Sequence, residues 1–195
     1  MELKVKFEST TPLLMHSNRG ANPLNPQVQE KKAITSKRNK TDEDHALLAA
    51  IDWKLGIYYD EELKQPYIPA EMVEACLREA AKKNKLGTIV KKGGMRVKED
   101  KIPLEYDGPR DLESLYGDGA TEFVDVRTGK LNGGSSVLIC RPRFNRWNMV
   151  FTLTTDDSKL NEQEVKTILE NAQEQGIGDY RERYGRFAYT ILKSK

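Results

Sequence analysis

The last fifty residues carry the pattern that most restricts the fold. Residues 147–155 alternate between apolar and polar side chains, which predicts a strand with one buried face. Asn161 and Glu164 have the spacing of a capping box, which marks the start of a helix, and Gly176 stands where a glycine ends one. Residues 187–192 then predict a final strand. A strand, a helix and a strand in this order indicate a sheet that carries helices.

The first half of the chain has the same ingredients. Residues 3–15 predict a strand with a bulge at Pro12, and the capping box of Thr41 and Asp44 predicts a helix through Trp53. A second helix is predicted over residues 70–83, where apolar side chains form one continuous face. The combined order of strands and helices predicts an α+β fold, a ferredoxin-like (RRM-type) domain with large loop or finger insertions.

The 195 residues show no internal repeat and no second core, so we expect a single domain over residues 1–195. Two insertions are predicted in it. Residues 16–40 are basic and poor in apolar side chains, which indicates a long flexible loop. Residues 88–144 predict an irregular insertion with short strands at 96–98, 122–126 and 136–140, and a turn at Gly133-Gly134.

Composition excludes several classes of protein. Hydrophobic residues make up 37% and charged residues 32% of the chain, and no apolar run is long enough for a membrane-spanning helix. The amino-terminal residues lack the apolar stretch of a signal peptide. Two cysteines, Cys76 and Cys140, are too few for a disulfide framework or a zinc site. We therefore expect a cytoplasmic protein with no membrane partner, no metal and no cofactor.

Charge is segregated along the chain, although the net charge is only +2. Residues 82–98 and 127–146 contain no acidic residue, and residues 16–40 contain only Glu30. Such segments either form a basic face for phosphates or carry ordinary solvated charge. The candidate nucleic-acid contacts in them are Arg19, Lys31, Lys32, Lys37, Arg38, Lys40, Lys91, Lys92, Arg96, Arg141, Arg143 and Arg146.

A glycine-rich segment between the last helix and the last strand is the most informative motif. Its candidate binding residues are Gly176, Gly178, Tyr180, Arg181, Arg183, Tyr184, Gly185 and Arg186. Glycines allow a phosphate close to backbone N–H groups, arginines neutralise it, and tyrosines stack on bases. The alternative is that the glycines only turn the chain.

This segment resembles the carboxyl-terminal glycine-rich loop of the RAMP superfamily, the RRM-like proteins of CRISPR RNA processing and effector complexes. Residues 66–80 resemble the opening of the first helix in the backbone subunits of those complexes, and residues 11–14 resemble the turn after their first strand. Ala70, Glu71 and Glu74 depart from the small and basic residues of the family pattern. The resemblance is therefore to a divergent or stand-alone member.

The resemblance implies a domain that holds a single strand of RNA and assembles side by side along it, as a homo-oligomer or filament or with other subunits of a ribonucleoprotein. We expect binding of single-stranded RNA, or of single-stranded DNA, without catalysis. One alternative is a metal-independent endoribonuclease that uses His16, because such enzymes employ a histidine as acid or base. Another is an interaction subunit that binds an acidic protein partner.

Overall fold

The computed structural model describes residues 1–130 and 136–192. The strands are β1 (Glu2–Ser9), β2 (Leu13–Leu14), β3 (Tyr59–Asp60), β4 (Gln65–Pro69), β5 (Met95–Val97), β6 (Lys101–Pro103), β7 (Val124–Lys130), β8 (Ser136–Phe144), β9 (Asn148–Thr155) and β10 (Phe187–Leu192). The helices are α1 (Pro26–Thr35), α2 (Asp42–Gly56), α3 (Ala70–Lys82), α4 (Gly87–Ile89), α5 (Leu112–Tyr116) and α6 (Glu162–Gln175). A 3-10 turn spans Asn18–Ala21 and a π-helical turn spans Val90–Gly94.

The core lies between a four-stranded sheet and two helices. The sheet has the order β10-β1-β9-β5, and every neighbouring pair is antiparallel. Phe7 of β1 stacks on Phe187, with ring centroids 3.7 Å apart, and meets Phe151 edge-on at 4.9 Å. Helices α3 and α6 pack against each other and contribute buried side chains to the same core. The mixture of helices and antiparallel sheets confirms the α+β class.

A hairpin of β7 and β8 stands beside this core and forms a second sheet with β2, in the order β2-β8-β7. In its register Asp125 lies opposite Arg141, and Arg127 lies opposite Ile139. Since alternate residues of a strand share a face, Asp125, Arg127 and Arg141 lie on one face of the hairpin. Helix α2 packs against β8, and a third small sheet has the order β3-β4-β6.

Both predicted capping boxes are confirmed. The side chain of Thr41 accepts from the amide of Asp44, and that of Asn161 accepts from the amide of Glu164, with the reciprocal contacts also present. The predicted helix over residues 70–83 is α3, and Gly176 ends α6 with a φ of 67°. These elements follow from local sequence because capping and an apolar stripe act within a few residues.

The prediction of a long loop at residues 16–40 is wrong for residues 26–35, which form α1. Asn25 caps this helix and Pro26 occupies its first position, where the missing N–H costs nothing. Only Ile34 is buried in it, against Ile51 and Leu55 of α2. So few apolar residues leave no periodic signal, and the helix is held by its neighbour.

Two further predictions are corrected. The single strand expected over residues 3–15 is two strands, because β1 ends at Ser9 and β2 pairs with β8 instead of the main sheet. Residues 88–144 are not irregular, since they supply β5 of the main sheet and both strands of the hairpin. The predicted strand at 136–140 continues to Phe144, through Arg141 and Arg143 that interrupt its apolar pattern. The turn predicted at Gly133-Gly134 lies outside the described residues.

The described residues contain neither a membrane-spanning helix nor a cluster of metal-binding side chains. No helix among residues 1–130 and 136–192 is both long and apolar enough to cross a membrane. In the same residues, no group of three or more His, Cys, Asp or Glu side chains has the arrangement of a metal site.

Cys76 is buried, and burial raises the pKa of its thiol to about 12. Its Sγ lies 3.7 Å from the carbonyl oxygen of Ala172. Cys76 is thus a packing residue between α3 and α6.

Candidate nucleic-acid interface

Residues 176–186, called the glycine loop below, fold back on themselves between α6 and β10. The Ile177 amide donates to the Gly185 carbonyl at 3.0 Å, which closes the loop. The Asp179 amide donates to the Leu14 carbonyl and the Gly185 amide to the Pro12 carbonyl, both at 2.8 Å. The loop is therefore hydrogen-bonded to β2 and to Pro12 just before it.

The glycines of this loop are required by close packing and by backbone conformation. Gly178 has a φ of 82°, and a Cβ there would lie 2.4 Å from the Leu14 carbonyl oxygen. Gly185 has a φ of 73°, and a Cβ there would lie 1.8 Å from the Ile177 carbonyl oxygen. Because amides of the loop already donate within the protein, a phosphate held here would be bound mainly by side chains.

Two arginines of the hairpin and two tyrosines of the glycine loop form a compact group, called the Arg–Tyr cluster: Arg127, Arg141, Tyr180 and Tyr184. The Arg127 guanidinium lies 5.1 Å from the centroid of the Tyr180 ring and 4.7 Å from that of Tyr184. The Arg141 guanidinium lies 5.4 Å from the Tyr180 ring. These are cation–π distances, and the Tyr180 side chain remains exposed. The cluster thus offers both cationic and aromatic contacts at the surface.

Carboxylates fix the guanidinium groups of the cluster. Buried Asp125 forms an ion pair with Arg127, and its Oδ2 lies 3.5 Å from Arg143 Nη1. Asp179 Oδ2 lies 2.7 Å from Arg141 Nε. Asp125 raises the pKa of Arg127, and Arg127 lowers the pKa of Tyr184 through a hydrogen bond to its hydroxyl. The arginines are held in place before any ligand arrives, which lowers the entropic cost of binding.

Three further arginines belong to the glycine loop. Arg181 and Arg183 are exposed, whereas Arg186 Nη1 lies 3.0 Å from Glu174 Oε2. The charge of Arg181 contributes to lowering the pKa of Glu79 on α3, after the larger effect of Lys82. Arg181 thus lies near α3, and Arg183 is the neighbour of Tyr184 in the cluster, so both exposed arginines add positive charge beside the cluster.

Most of the candidate cations at residues 16–40 hold the local structure together. Lys31 forms an ion pair with Asp52, and Lys37 Nζ lies 2.6 Å from Asp44 Oδ1. Arg19 Nη2 donates to two backbone carbonyls at the end of α2, and Lys40 Nζ donates to the Lys37 carbonyl. Exposed side chains in this segment include Lys32 and Arg38. The segment is basic in sequence but partly neutralised in the fold.

The remaining candidates lie in other parts of the surface. Arg96 donates to backbone carbonyls of the π-helical turn, and Lys91 lines a cleft of about 480 Å³ with three basic residues at the end of α3. Lys92 is exposed on the same turn.

Arg146 lines a different cleft, whose other charged residues include Glu8, Glu105 and Asp107. Arg143 contacts the Oδ1 of Asn145 at 2.8 Å. The structure thus brings together Arg141 and the glycine loop, and separates Arg146 from them.

Arg127 is a residue of the cluster that the candidate set lacks. Arg127 belongs to the acid-free segment 127–146, which indicates a basic surface. Nothing in the sequence of that segment distinguishes Arg127 from the other cations in it. The contact with Tyr184 depends on the register between β7 and β8 and on the fold of the glycine loop, 57 positions further along the chain, which local sequence does not reveal.

His16 lies next to the cluster. Its Nδ1 is 2.6 Å from Arg141 Nη1, and burial, followed by the charge of Arg141, lowers its pKa. A guanidinium only donates, so Nδ1 must accept and the neutral ring carries its hydrogen on Nε2. In this tautomer no ring nitrogen is free to take a proton, and His16 acts as a hydrogen-bond donor. The geometry therefore does not favour His16 as a general base.

Solved structures of other proteins resemble this chain, and one of them is described here. No family model and no curated protein matches the chain. A chain in the cryo-EM structure of the Type III-B Cmr-beta bound to cognate target RNA is similar over 98% of this chain, at 15% sequence identity and a TM-score of 0.48. This chain spans 59% of the length of that chain. At this level the likeness is loose, so the function proposed below rests on contacts within this protein.

Proposed function

We propose that this protein binds single-stranded nucleic acid, with RNA favoured over DNA, on the surface formed by the Arg–Tyr cluster and the exposed Arg181 and Arg183. The observation that carries the proposal is the contact of two guanidinium groups, those of Arg127 and Arg141, with the exposed ring of Tyr180. Guanidinium groups bind phosphates, and tyrosine rings stack on bases of any sequence. Together they match the backbone and the bases of an unpaired strand.

The electrostatic balance of this surface supports the same proposal. The cluster and the glycine loop contain five arginines; Asp125, Asp179 and Glu174 each pair with one of them, whereas Arg181 and Arg183 are exposed on either side of Glu182. Neutralised phosphates release counterions from the strand, and this release supplies much of the affinity. Binding to this surface is therefore expected to weaken steeply as salt increases.

We further propose that the chain is a ferredoxin-like domain and that it is a divergent relative of the RAMP superfamily. The strand order β10-β1-β9-β5, with α3 between β1 and β5 and α6 between β9 and β10, supports the first part. The sequence resemblance in residues 11–14, 66–80 and 176–187 supports the second. The family relation is also the basis for proposing that copies assemble side by side on a strand, or with other ribonucleoprotein subunits.

A binding experiment tests the proposed function directly. Labelled oligouridine RNA and oligodeoxyuridine are titrated with the protein at low and at moderate salt, and the strands are examined for cleavage afterwards. We expect a mobility shift that weakens with salt, stronger for RNA, with intact strands. Absence of any shift at low salt would contradict the proposal and would favour the alternative of an acidic protein partner.

A further inference from the structure

A recess opens beside the Arg–Tyr cluster, and we call it the side cleft. It has a volume of about 770 Å³ and lies between β8, the end of α2 and the 3-10 turn at Asn18–Ala21. Leu55, Val137 and Ile139 contribute to its lining. Apolar walls of this kind, with a few polar groups at defined positions, are typical of sites for small ring-shaped ligands.

The polar groups of the side cleft include both hydrogen-bond donors and acceptors. His16 offers the Nε2–H donor that its contact with Arg141 dictates. Asp52 also lines the cleft, and although it pairs with Lys31, a carboxylate has more acceptor positions than one ammonium group fills. A nucleobase presents donors and acceptors along its edge and an apolar face above and below, so the lining suits a base better than a phosphate alone.

Arg141 connects the side cleft to the proposed strand-binding surface. Its Nη1 contacts His16 Nδ1, which lines the cleft, while its guanidinium lies 5.4 Å from the Tyr180 ring of the cluster. A strand whose phosphates contact the cluster would therefore pass the mouth of the cleft. Because Arg141 both lines the cleft and belongs to the cluster, the two sites adjoin each other.

We propose that the side cleft binds a single unstacked base of the strand that the Arg–Tyr cluster holds. The inference rests on the proposed function, because the base assigned to the side cleft belongs to the strand that the Arg–Tyr cluster binds. Base binding here would give the protein a preference among bases at one position per bound copy. The Arg–Tyr cluster by itself supplies no such preference, since stacking and phosphate contacts tolerate every base.

Gly20 allows the cleft to be filled without disturbing the fold. It lines the cleft, and a Cβ built on it meets no atom of the described residues within 4 Å. Gly20→Phe places a large side chain in this open space. Ala188→Phe is the matched control, because Ala188 is exposed on β10, which is not part of the cleft. Equal melting temperatures of both variants and the unaltered protein verify that the fold is intact.

The test titrates each protein with AMP, CMP, GMP and UMP, and with ribose 5-phosphate as a probe that lacks a base. Backbone amide signals of Ser17, Asn18 and Gly56, which line the cleft, are followed by NMR. We expect at least one nucleotide to shift these signals at concentrations where ribose 5-phosphate does not. Gly20→Phe should weaken that binding by about tenfold or more, because the phenyl ring takes up space that the base would fill, and Ala188→Phe should leave it unchanged.

The outcomes separate the base site from the proposed function. If ribose 5-phosphate produces the same shifts as the nucleotides, or if no nucleotide shifts these amides, the inference is overturned even when strands still bind. Nucleotide shifts in a protein that binds no strand would support the base site and would contradict the strand-binding function instead. The comparison of probes on the unaltered protein holds even if Gly20→Phe does not fold.

Discussion

Arg127 Nη2 donates a hydrogen bond of 2.8 Å to the hydroxyl of Tyr184, and the two residues are 57 positions apart in the chain. This contact joins the β7–β8 hairpin to the glycine loop. Because Arg127 also pairs with buried Asp125, one side chain serves both the folding of the hairpin and the orientation of the tyrosine. Stability and strand binding should therefore change together when Arg127 is replaced.

Arg127→Gln should lower the free energy of unfolding by about 2 kcal/mol, because Asp125 is left buried without its nearest cation. Urea denaturation followed by circular dichroism measures this change. Arg146→Gln is the control: Arg146 is exposed and outside the cluster, so we expect less than about 0.5 kcal/mol. Equal effects of the two substitutions would mean that Asp125 does not depend on Arg127.

Alanine at Gly178 or Gly185 should destabilise the protein by about 3 kcal/mol or more, because each Cβ would overlap a carbonyl oxygen and each residue has a positive φ. Gly20→Ala should be nearly neutral, since its Cβ meets open space among the described residues. Thermal and urea unfolding compare the three variants. Normal stability of Gly185→Ala would show that the loop is not closed on Ile177.

His16 should make stability depend on pH in the mildly acidic range. Burial and Arg141 lower its pKa in the folded state, with smaller effects from Asp179, Asp52 and Lys31. Above its ordinary pKa of about 6.5 the ring is neutral in both states and the full stability is present. As pH falls below that value the unfolded chain takes up a proton first, so the free energy of unfolding decreases.

The measurement for His16 is urea unfolding at pH 7.5 and at pH 5.5, both above the ordinary pKa range of Asp and Glu. The unaltered protein should lose more stability between these two values than His16→Gln, which cannot titrate. An equal loss in both proteins would mean that the folded state does not lower the pKa of His16.

Strands should remain intact after binding, because the Nδ1 of His16 accepts from Arg141 and the neutral ring has no free basic nitrogen. Labelled RNA incubated with the protein and a chelator, then separated on a denaturing gel, measures this. His45 on α2 is the other histidine of the chain and serves as the control. Cleavage that disappears in His16→Ala but persists in His45→Ala would restore the endoribonuclease alternative.

Local sequence patterns predict the parts of the fold that form locally. The capping boxes at Thr41 and Asn161, the apolar stripe of α3 and the glycine after α6 each act within one or two helical turns, and the structure has them where they are expected. Helix α1 was not predicted, because the contacts that stabilise it are made to another part of the chain. Its stability comes from Ile34 packing on α2 and from the ion pair of Lys31 with Asp52 of that helix, neither of which leaves a periodic pattern in residues 26–35.

The candidate site shows the same limit at the level of side chains. Charge and residue type single out Arg141, Tyr180 and Tyr184, and the structure places them together. Sequence alone does not reveal which cations are neutralised by a carboxylate distant in the chain, as in the pairs Lys31–Asp52 and Arg186–Glu174. Those pairs depend on how helices and loops pack, which no local pattern encodes.

The salt dependence of binding tests most directly whether the arginines of the glycine loop contact strand phosphates. The double variant Arg181→Gln/Arg183→Gln should reduce the slope of log K against log salt for oligouridine by about 1.4, which is two phosphate contacts on a single strand. The control Lys159→Gln/Lys166→Gln removes the same charge from α6 and the turn before it, where both lysines pair with nearby carboxylates, and should leave the slope unchanged. Equal slopes for the unaltered protein and the arginine variant would contradict the account.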